Sequence, residues 1–348
     1  MSGDLVLITG GTGLIGIKTI HLALEAGYSV RAAVRSQAKA EAILATPTVK
    51  AINPGSRLTF VIVPDMLADG AYDKAAEGVK YIMHIASGTI HGTGPKEEEY
   101  EALLIQPALK GTISILDAAY KTTTVRRIII TSSEAAIIPW EEFIAKEVDT
   151  VFDDTYQTPY PAGPYHHAFE AYAAGKVRAL VATKEFVKEK KPLFDIIHIM
   201  PGFTIGENEL VTDPKLIADA TVRAAFAQVL GEDSGWGAIP STSVHVWDVA
   251  NLHVKALDPK IEGGQSFLAV SEGVKGTVWS DAIDIVNRNF PEAVKKGILP
   301  NNGSTPTKRT KIDSSRTEKV FGIKLLSYEE QVKSVVKQYL TLLGEPLM

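Results

Sequence analysis

The fold is decided by the eight residues TGGTGLIG at positions 9–16, which lie between a predicted strand at 5–9 and a predicted helix at 14–26. A glycine-rich turn between a strand and a helix lets the backbone approach a pyrophosphate, whose charge the helix N-terminus stabilises. Gly13 permits that approach, and Gly16 permits close packing of the helix on the strand. The alternative is a tight structural turn that binds no ligand. The predicted contact residues are Gly10, Thr12, Gly13, Leu14, Ile15 and Gly16.

On the C-terminal side of this turn, short β-branched runs alternate with longer helical patterns over the first 200 residues. Apolar strands that alternate with helices predict βαβ units and a parallel sheet with helices on both faces. We therefore expect an α/β fold with a Rossmann-type doubly wound parallel sheet. Strands are predicted at 29–34, 58–63, 81–85, 127–131 and 194–200, and helices at 38–44, 103–120 and 168–190.

The alternation loosens after residue 200, where helices are predicted at 216–230, 279–289 and 328–343 and a strand at 266–270. We interpret residues 1–200 as the dinucleotide-binding Rossmann domain, which also carries the candidate catalytic residues. Residues 201–348 are predicted to form mainly a smaller C-terminal substrate-binding lobe, interleaved with the first domain.

The composition argues against several classes of protein. The net charge of −5 offers no basic surface for nucleic acid or an anionic membrane. The chain has no cysteine, which excludes disulfides and cysteine-based zinc sites, and no His-Glu-x-x-His motif, so no metal is predicted. No run approaches the ~20 apolar residues that a membrane span needs. No signal peptide is recognised, and a cytoplasmic protein is the expectation.

The second predicted strand ends in a basic residue, Arg35, and Lys39 follows one helical turn later. A site for NAD usually places an acidic residue here, against the ribose 2′-hydroxyl. A guanidinium is instead suited to a 2′-phosphate. The pattern favours NADPH/NADP+ as the cofactor; the alternative is a solvated surface arginine in an enzyme that accepts both cofactors.

Tyr172 and Lys176 form a Tyr-x-x-x-Lys pair on the predicted helix at 168–190, a spacing that places both side chains on one helix face. An ammonium near a phenol favours phenolate and is expected to lower the phenol pKa. Tyr172 is then a candidate general acid for a carbonyl oxygen. Ser133 follows the predicted strand at 127–131, at the carboxyl ends of the parallel strands, where ligands bind. Its hydroxyl is suited to hydrogen-bond the same carbonyl oxygen.

At this point the chain resembles the extended short-chain dehydrogenase/reductase superfamily, and within it the branch of dihydroflavonol, cinnamoyl-CoA and methylglyoxal or ketone reductases. The resemblance spans nearly the whole chain. The motifs that carry it are TGGTGLIG at 9–16, VRSQAKAE at 34–41, VPDM at 63–66, HIAS at 84–87, TSSEAA at 131–136, YAAGK at 172–176, PGFTIG at 201–206 and HVWDVANLHVKAL at 245–257.

The resemblance implies roles for individual residues. The catalytic set would be Ser133, Tyr172 and Lys176, with Lys176 also holding the nicotinamide ribose. Further cofactor contacts are implied for Asp65 and Met66 at the adenine, for Ala86 and Ser87 along the pyrophosphate and ribose, and for Pro201, Phe203 and Thr204 at the nicotinamide.

Three positions depart from the pattern of that branch. Met200 stands where asparagine is frequent, Glu207 where proline is frequent, and Trp247 where arginine is frequent. None of these replaces a reacting group, so the departures bear on the substrate more than on the type of reaction.

These features predict an NADPH-dependent reductase of an aldehyde or ketone, with an apolar or aromatic carbonyl substrate. The alternatives are a nucleotide-sugar epimerase or dehydratase of the same fold and a non-enzymatic NADP-binding sensor. The sequence leaves a homodimer open. His198 is expected to be a satisfied core residue. Candidate pocket residues, each of which could equally pack the smaller lobe, are Gly88, Thr89, Trp140, Tyr156, Tyr160, Tyr165, Phe203 and Trp236.

Overall fold

The computed structural model describes residues 3–90, 94–145 and 149–347. Strands and helices alternate along the first 200 of these residues, as the sequence pattern predicts. The strands are β1 (Leu5–Thr9), β2 (Ser29–Val34), β3 (Leu58–Ile62), β4 (Tyr81–His84), β5 (Arg127–Thr131), β6 (Val151–Phe152), β7 (Asp195–Pro201), β8 (Phe203–Ile205), β9 (Ile239–Pro240), β10 (Ser243–His245), β11 (Ser266–Ala269), β12 (Thr307–Lys308) and β13 (Lys311–Ile312). The helices are α1 (Leu14–Glu25), α2 (Gln37–Ala45), α3 (Pro47–Ile52), α4 (Asp73–Ala76), α5 (Gln106–Lys121), α6 (Trp140–Ile144), α7 (Ala168–Lys190), α8 (Arg223–Phe226), α9 (Val246–Lys255), α10 (Asp281–Asn289), α11 (Pro291–Lys295), α12 (Ser315–Phe321) and α13 (Tyr328–Leu343).

The main sheet contains seven parallel strands in the order β11-β7-β5-β4-β1-β2-β3. The chain starts at β1, extends through β2 and β3 to one edge, and then returns to β4 on the other side of β1. This reversal puts a crevice between the carboxyl ends of β1 and β4, where ligands bind in open α/β sheets. The predicted α/β fold with a doubly wound parallel sheet is confirmed.

Alternate residues of a strand point to opposite faces of the sheet, and here both sets are apolar. Helices therefore cover both faces. Val6 and Ile8 of β1 pack in a core with α1 and α9, whereas Leu7 packs in a second core with α5. β1 is therefore buried on both sides, which explains the unbroken apolar run of its sequence.

A third core lies in the C-terminal part of the chain, where Phe203, Trp279 and Val336 pack among α8, α10 and α13. Three short parallel pairs accompany it, β8 with β10, β9 with β12 and β6 with β13. β11 returns from this region to the main sheet and pairs with β7. The division of the chain at residue 200 remains a proposal.

The predicted helix at 216–230 is wrong. The segment contains the 3-10 turns Pro214–Leu216 and Ala220–Val222, followed by the single-turn helix α8. Ala220 has a φ of 44°, a left-handed conformation that interrupts a right-handed helix. The helix predicted at 103–120 likewise begins as a π-helical segment, Glu101–Ile105, before α5.

Among residues 3–90, 94–145 and 149–347, no helix combines the length and the apolar character needed to cross a membrane.

Candidate active site

The glycine-rich turn after β1 fits a bound pyrophosphate. Gly10 has a φ of 73°, and a Cβ there would lie 2.6 Å from the Ala86 backbone nitrogen. A Cβ on Gly16 would lie 2.0 Å from the Gly10 carbonyl oxygen. Both positions therefore require glycine. Gly13 is the N-cap of α1 and offers no side-chain cap, so the first backbone N–H groups of α1 stay free for an anion.

Thr9 joins the glycine turn to the loop after β4. Its hydroxyl oxygen accepts hydrogen bonds from the backbone N–H groups of Ile85 and Ala86, each at 3.2 Å, and lies 2.9 Å from His84 Nδ1. The predicted contacts Ala86 and Ser87 are thereby held beside Gly10, at the crevice between β1 and β4.

Arg35 and Lys39 are exposed beyond the end of β2, and neither forms an ion pair with a described carboxylate. The Arg35 charge opposes the effect of burial on Tyr72, whose pKa burial raises to about 12. Asp65 accepts a hydrogen bond from the Leu67 backbone N–H at 2.8 Å, which is the geometry of a turn residue at a strand end.

The three candidate catalytic residues come together beside this crevice. Lys176 Nζ lies 5.6 Å from the centroid of the Tyr172 ring, and Ser133 lies near enough to the Tyr172 phenol to lower its pKa. Lys176 Nζ also donates to Ser87 Oγ at 3.1 Å and to the Thr131 carbonyl at 3.4 Å. The lysine therefore connects α7 to the loops that follow β4 and β5.

The expected lowering of the Tyr172 pKa is wrong, because the surroundings raise this pKa instead. Burial raises the pKa of Tyr172, the Ser133 hydrogen bond lowers it, and the charge of Glu134 raises it further. Desolvation of a phenolate outweighs the neighbouring groups here. Burial also lowers the pKa of Lys176 to about 8. At neutral pH the phenol consequently carries its proton, which is the form that can protonate a carbonyl oxygen.

The predicted nicotinamide residues follow directly along the chain. Pro201 ends β7, while Phe203 and Thr204 are buried in β8. The Phe203 backbone N–H donates to the Thr242 carbonyl at 3.0 Å, and the Thr204 carbonyl accepts from the Thr221 hydroxyl at 2.6 Å. Both residues are thus fixed by hydrogen bonds to residues farther along the chain. Met66, predicted at the adenine, is half-buried against the core below α5.

A row of aromatic rings lies beside Tyr172. Phe169 stacks on Phe143 with centroids 4.4 Å apart, and Phe143 stacks on Trp140 at 5.6 Å. The centroid of the Phe169 ring also lies 5.6 Å from that of Tyr172 and 6.3 Å from that of Phe203. The rings of Phe169 and Phe203 are parallel, with an interplanar angle of 1°. Phe169 and Phe143 were not predicted from the sequence, because their stacking joins α6 to α7, which no local pattern reveals.

Other candidate pocket residues have different surroundings. Trp236 lies 6.4 Å from Phe203 and so joins the aromatic row. Tyr160 and Tyr165 instead flank Arg178, and Tyr156 packs on Phe152 at 4.9 Å. Gly88 backs onto the π-helical segment Glu101–Ile105, since a Cβ there would lie 2.4 Å from the Leu103 carbonyl, and Thr89 is exposed.

A small cavity of about 10 Å³ lies behind Lys176, with His84 and His198 among its lining residues. The expectation that His198 is a satisfied core residue is half wrong, because it is buried but its Nε2 has no hydrogen-bond partner. The described part of the chain contains no group of three or more His, Cys, Asp or Glu side chains arranged to hold a metal ion.

Glu134 is a buried residue of the site that the sequence analysis did not single out. It follows Ser133 directly, is 2% exposed, and accepts a hydrogen bond from Thr242 Oγ1 at 2.5 Å. The signal was an acidic residue at the start of the apolar run EAAII. Its partner lies 108 residues away, which no local pattern reveals.

The fold and the site together define a dinucleotide-binding dehydrogenase/reductase of the extended short-chain class. The model of the NAD dependent epimerase/dehydratase family matches residues 6–268 of the chain. The chain belongs to this family.

Two curated relatives match almost the entire chain. Ketoreductase CTB6 of Cercospora nicotianae is 39% identical over 98% of this chain and 96% of its own length. The NAD-dependent epimerase/dehydratase ALT6 of Alternaria alternata is 37% identical over 95% of this chain and 96% of its own length. The crystal structure of Gre2 from Candida albicans in complex with NADPH superimposes with a TM-score of 0.80 at 24% identity, covering 97% of this chain and 99% of that one. This last likeness concerns the fold.

Proposed function

We propose that the protein is an NADPH-dependent carbonyl reductase that converts an aldehyde or ketone to an alcohol. The observation that carries the proposal is the cluster of Ser133, Tyr172 and Lys176 beside the glycine turn, with Lys176 Nζ 5.6 Å from the Tyr172 ring centroid and 3.1 Å from Ser87 Oγ. The names of relatives support it, because CTB6 is a ketoreductase and a further relative, from Sporidiobolus salmonicolor, is an aldehyde reductase.

Each side chain has one task in this reaction. NADPH, when bound, supplies the hydride for the carbonyl carbon. Tyr172 donates its phenolic proton to the carbonyl oxygen, and the Ser133 hydroxyl hydrogen-bonds the same oxygen while negative charge develops on it. The Lys176 ammonium stabilises the phenolate that remains and is placed to hold the nicotinamide ribose together with Ser87.

The cofactor preference rests on charge. The glycine turn and the free N-terminus of α1 would hold the pyrophosphate, as argued above. Arg35 and Lys39 provide two exposed cations without described carboxylate partners at the end of β2, which suits a 2′-phosphate. Met66, Ala86, Pro201, Phe203 and Thr204 are proposed to line the remaining path of the cofactor. Asp65 is proposed at the adenine only through its backbone, since its carboxylate already serves the turn.

We infer an apolar or aromatic substrate from the aromatic row. Phe169 is the ring that contacts Tyr172. The row continues from Phe169 through Phe143 to Trp140, all three half-buried, and, separately, through Phe203 to Trp236. A row of flat apolar surfaces beside a proton donor favours a substrate whose carbonyl is attached to a planar or hydrophobic group.

Epimerase or dehydratase chemistry on a nucleotide sugar is the second candidate, which the name of ALT6 keeps open. The aromatic row argues against it, since a sugar diphosphate needs a basic and polar pocket. A non-enzymatic NADP-binding sensor is disfavoured by the presence of the complete reactive cluster. A cytoplasmic location and a homodimer are expectations from the sequence alone.

The deciding experiment measures oxidation of NADPH and of NADH against aliphatic aldehydes, 1,2-dicarbonyls, β-keto esters and aryl ketones. We expect NADPH-selective turnover, and at least a ~100-fold loss of kcat in Tyr172→Phe with little change in NADPH affinity. Near-normal turnover of Tyr172→Phe would exclude this residue as the proton donor. Tightly bound NAD that never exchanges, with no net turnover, would favour the epimerase.

A further inference from the structure

The buried carboxyl of Glu134 has an unusual environment for a charged residue. Oε1 accepts a hydrogen bond from the Thr242 hydroxyl at 2.5 Å, whereas Oε2 is buried without a hydrogen-bond partner. No described cation pairs with it. An ionised carboxylate in such a place is costly, so the group takes up a proton instead. Burial accordingly raises the pKa of Glu134 to about 8.

Glu134 connects the two halves of the site. It begins the 3-10 turn Glu134–Ala136, for which Ser133 is the N-cap. Through its side chain it holds Thr242, whose carbonyl accepts the hydrogen bond of the Phe203 backbone N–H. A continuous path of covalent and hydrogen bonds thus runs from the serine beside Tyr172 to the strand proposed to face the nicotinamide.

Glu134 also acts on Tyr172 through space, since its negative charge raises the pKa of the phenol. The turn packs against α7, which contributes Tyr172 and Lys176, and against β7, which contributes His198. Burial lowers the pKa of His198 to about 4, so that histidine is neutral at the pH of interest. His245, three residues beyond Thr242, is neutral for the same reason.

We propose that Glu134 is a positioning residue for the reduction: its buried carboxyl fixes the Ser133 turn against Thr242, and it places its charge, when ionised, on the turn that packs against the helix of Tyr172. The proposal rests on the proposed function for its kinetic consequence. The two roles operate in different ranges of pH. Around neutral pH the hydrogen bond matters, and at alkaline pH the charge delays the ionisation of Tyr172.

The charge is tested with Glu134→Gln, which keeps the shape and removes the titration. Reduction needs Tyr172 as phenol, and the reverse oxidation of the alcohol needs it as phenolate. We expect the alkaline decline of reduction and the alkaline rise of oxidation both to move to lower pH in the variant. The matched control is Glu185→Gln, an exposed residue on the same helix as Tyr172. We expect it to leave the alkaline decline of reduction and the alkaline rise of oxidation at the same pH. If both pH dependences are unchanged in Glu134→Gln, the electrostatic role is overturned.

A second readout needs no turnover and therefore separates this proposal from the proposed function. The ultraviolet phenolate titration of the protein minus that of its Tyr172→Phe variant isolates Tyr172. The same difference in the Glu134→Gln background is expected to titrate at lower pH. If the shift appears although no carbonyl is ever reduced, the proposed function fails and the coupling of Glu134 to Tyr172 stands. An identical titration in both backgrounds would overturn the coupling.

The hydrogen bond is tested at Thr242, away from the charge. Thr242→Val removes the donor, and a lost hydrogen bond of this kind corresponds to roughly a five- to tenfold fall in kcat. Thr242→Ser keeps the hydroxyl and is expected to restore kcat, with the KM for NADPH changing little in either variant. An unchanged kcat in the isosteric Thr242→Val would mean that only the volume of Thr242 matters, and an equal loss in Thr242→Ser would mean that the hydroxyl does not carry the effect. Either result would overturn the positioning role.

Discussion

Lys176 Nζ donates a hydrogen bond to Ser87 Oγ at 3.1 Å, across 89 residues of sequence. The bond connects the middle of α7 to the loop that follows β4, and the second bond of the same ammonium reaches the Thr131 carbonyl at the end of β5. Lys176 is 6% exposed, so both contacts lie where water competes little for them. The lysine is therefore held in place before any ligand arrives, by the loop that is proposed to contact that ligand.

Ser87→Ala is expected to weaken cofactor binding more than catalysis. Loss of the hydroxyl leaves a buried ammonium with one hydrogen bond fewer, a change of roughly 1 kcal/mol or about fivefold in the KM for NADPH. The fold should survive, because Ser87 lies in a loop. Steady-state kinetics with varied NADPH measures the effect, and Ser114→Ala on α5 is the control. A fall in kcat with no change in KM would show that Ser87 acts on the reaction and not on the cofactor.

Arg35→Glu is expected to reverse the cofactor preference. The substitution puts a carboxylate against a 2′-phosphate and offers it to the 2′-hydroxyl of NADH. Loss of a charge-assisted hydrogen bond corresponds to a ~10- to 100-fold fall in kcat/KM with NADPH, and kcat/KM with NADH should rise. The exposed Lys50→Glu on α3 changes the net charge equally and serves as the control. A uniform fall with both cofactors would remove Arg35 as the phosphate contact.

The parallel sheet and its flanking helices could be predicted from the sequence because their signals are local. The strand before TGGTGLIG ends at Thr9 as expected, and the helix predicted at 168–190 is α7. The failures have non-local causes. The helix expected at 216–230 is interrupted by the left-handed Ala220, and alanine is the residue that most favours a helix. Glu134 escaped notice because its burial depends on Thr242, and its influence on Tyr172 depends on the packing of α7.

Phe169→Ala is expected to lower kcat/KM selectively for aryl ketones. Phe169 contacts Phe143, Tyr172 and Phe203, so its removal opens the aromatic row beside the proton donor. An aromatic contact of this kind contributes ~0.5–1.5 kcal/mol, or about two- to tenfold. Small aliphatic aldehydes should lose less. Tyr160→Ala is the matched control, since that ring is 59% exposed and lies against Arg178. Equal losses for both substrate classes would contradict an aromatic subsite.

Acid is expected to destabilise the protein between pH 6.5 and about 4, because five buried histidines are neutral in the folded state. Burial lowers their pKa from 6.5 to about 3 or 4, so in this window the unfolded chain binds protons that the folded chain does not. Stability is then lost as the pH falls. Glu134 and Asp248 act in the opposite sense, since burial raises their pKa to about 8 and about 6. Five histidines that lower the stability on acidification outnumber the two carboxyls that raise it, so the net effect is a loss of stability. The histidines are His21, His84, His198, His245 and His253.

His198→Leu isolates one of these contributions. Its Nε2 lies beside the cavity behind Lys176 and has no hydrogen-bond partner, so leucine removes a proton-binding site without breaking a described hydrogen bond of that nitrogen. Urea unfolding at several pH values should show a flatter loss of stability on acidification, by up to about 1.4 kcal/mol per pH unit for one group. If His198→Leu and the unmodified protein have the same slope, His198 is not neutral in the folded state, and the burial of its ring does not govern its protonation.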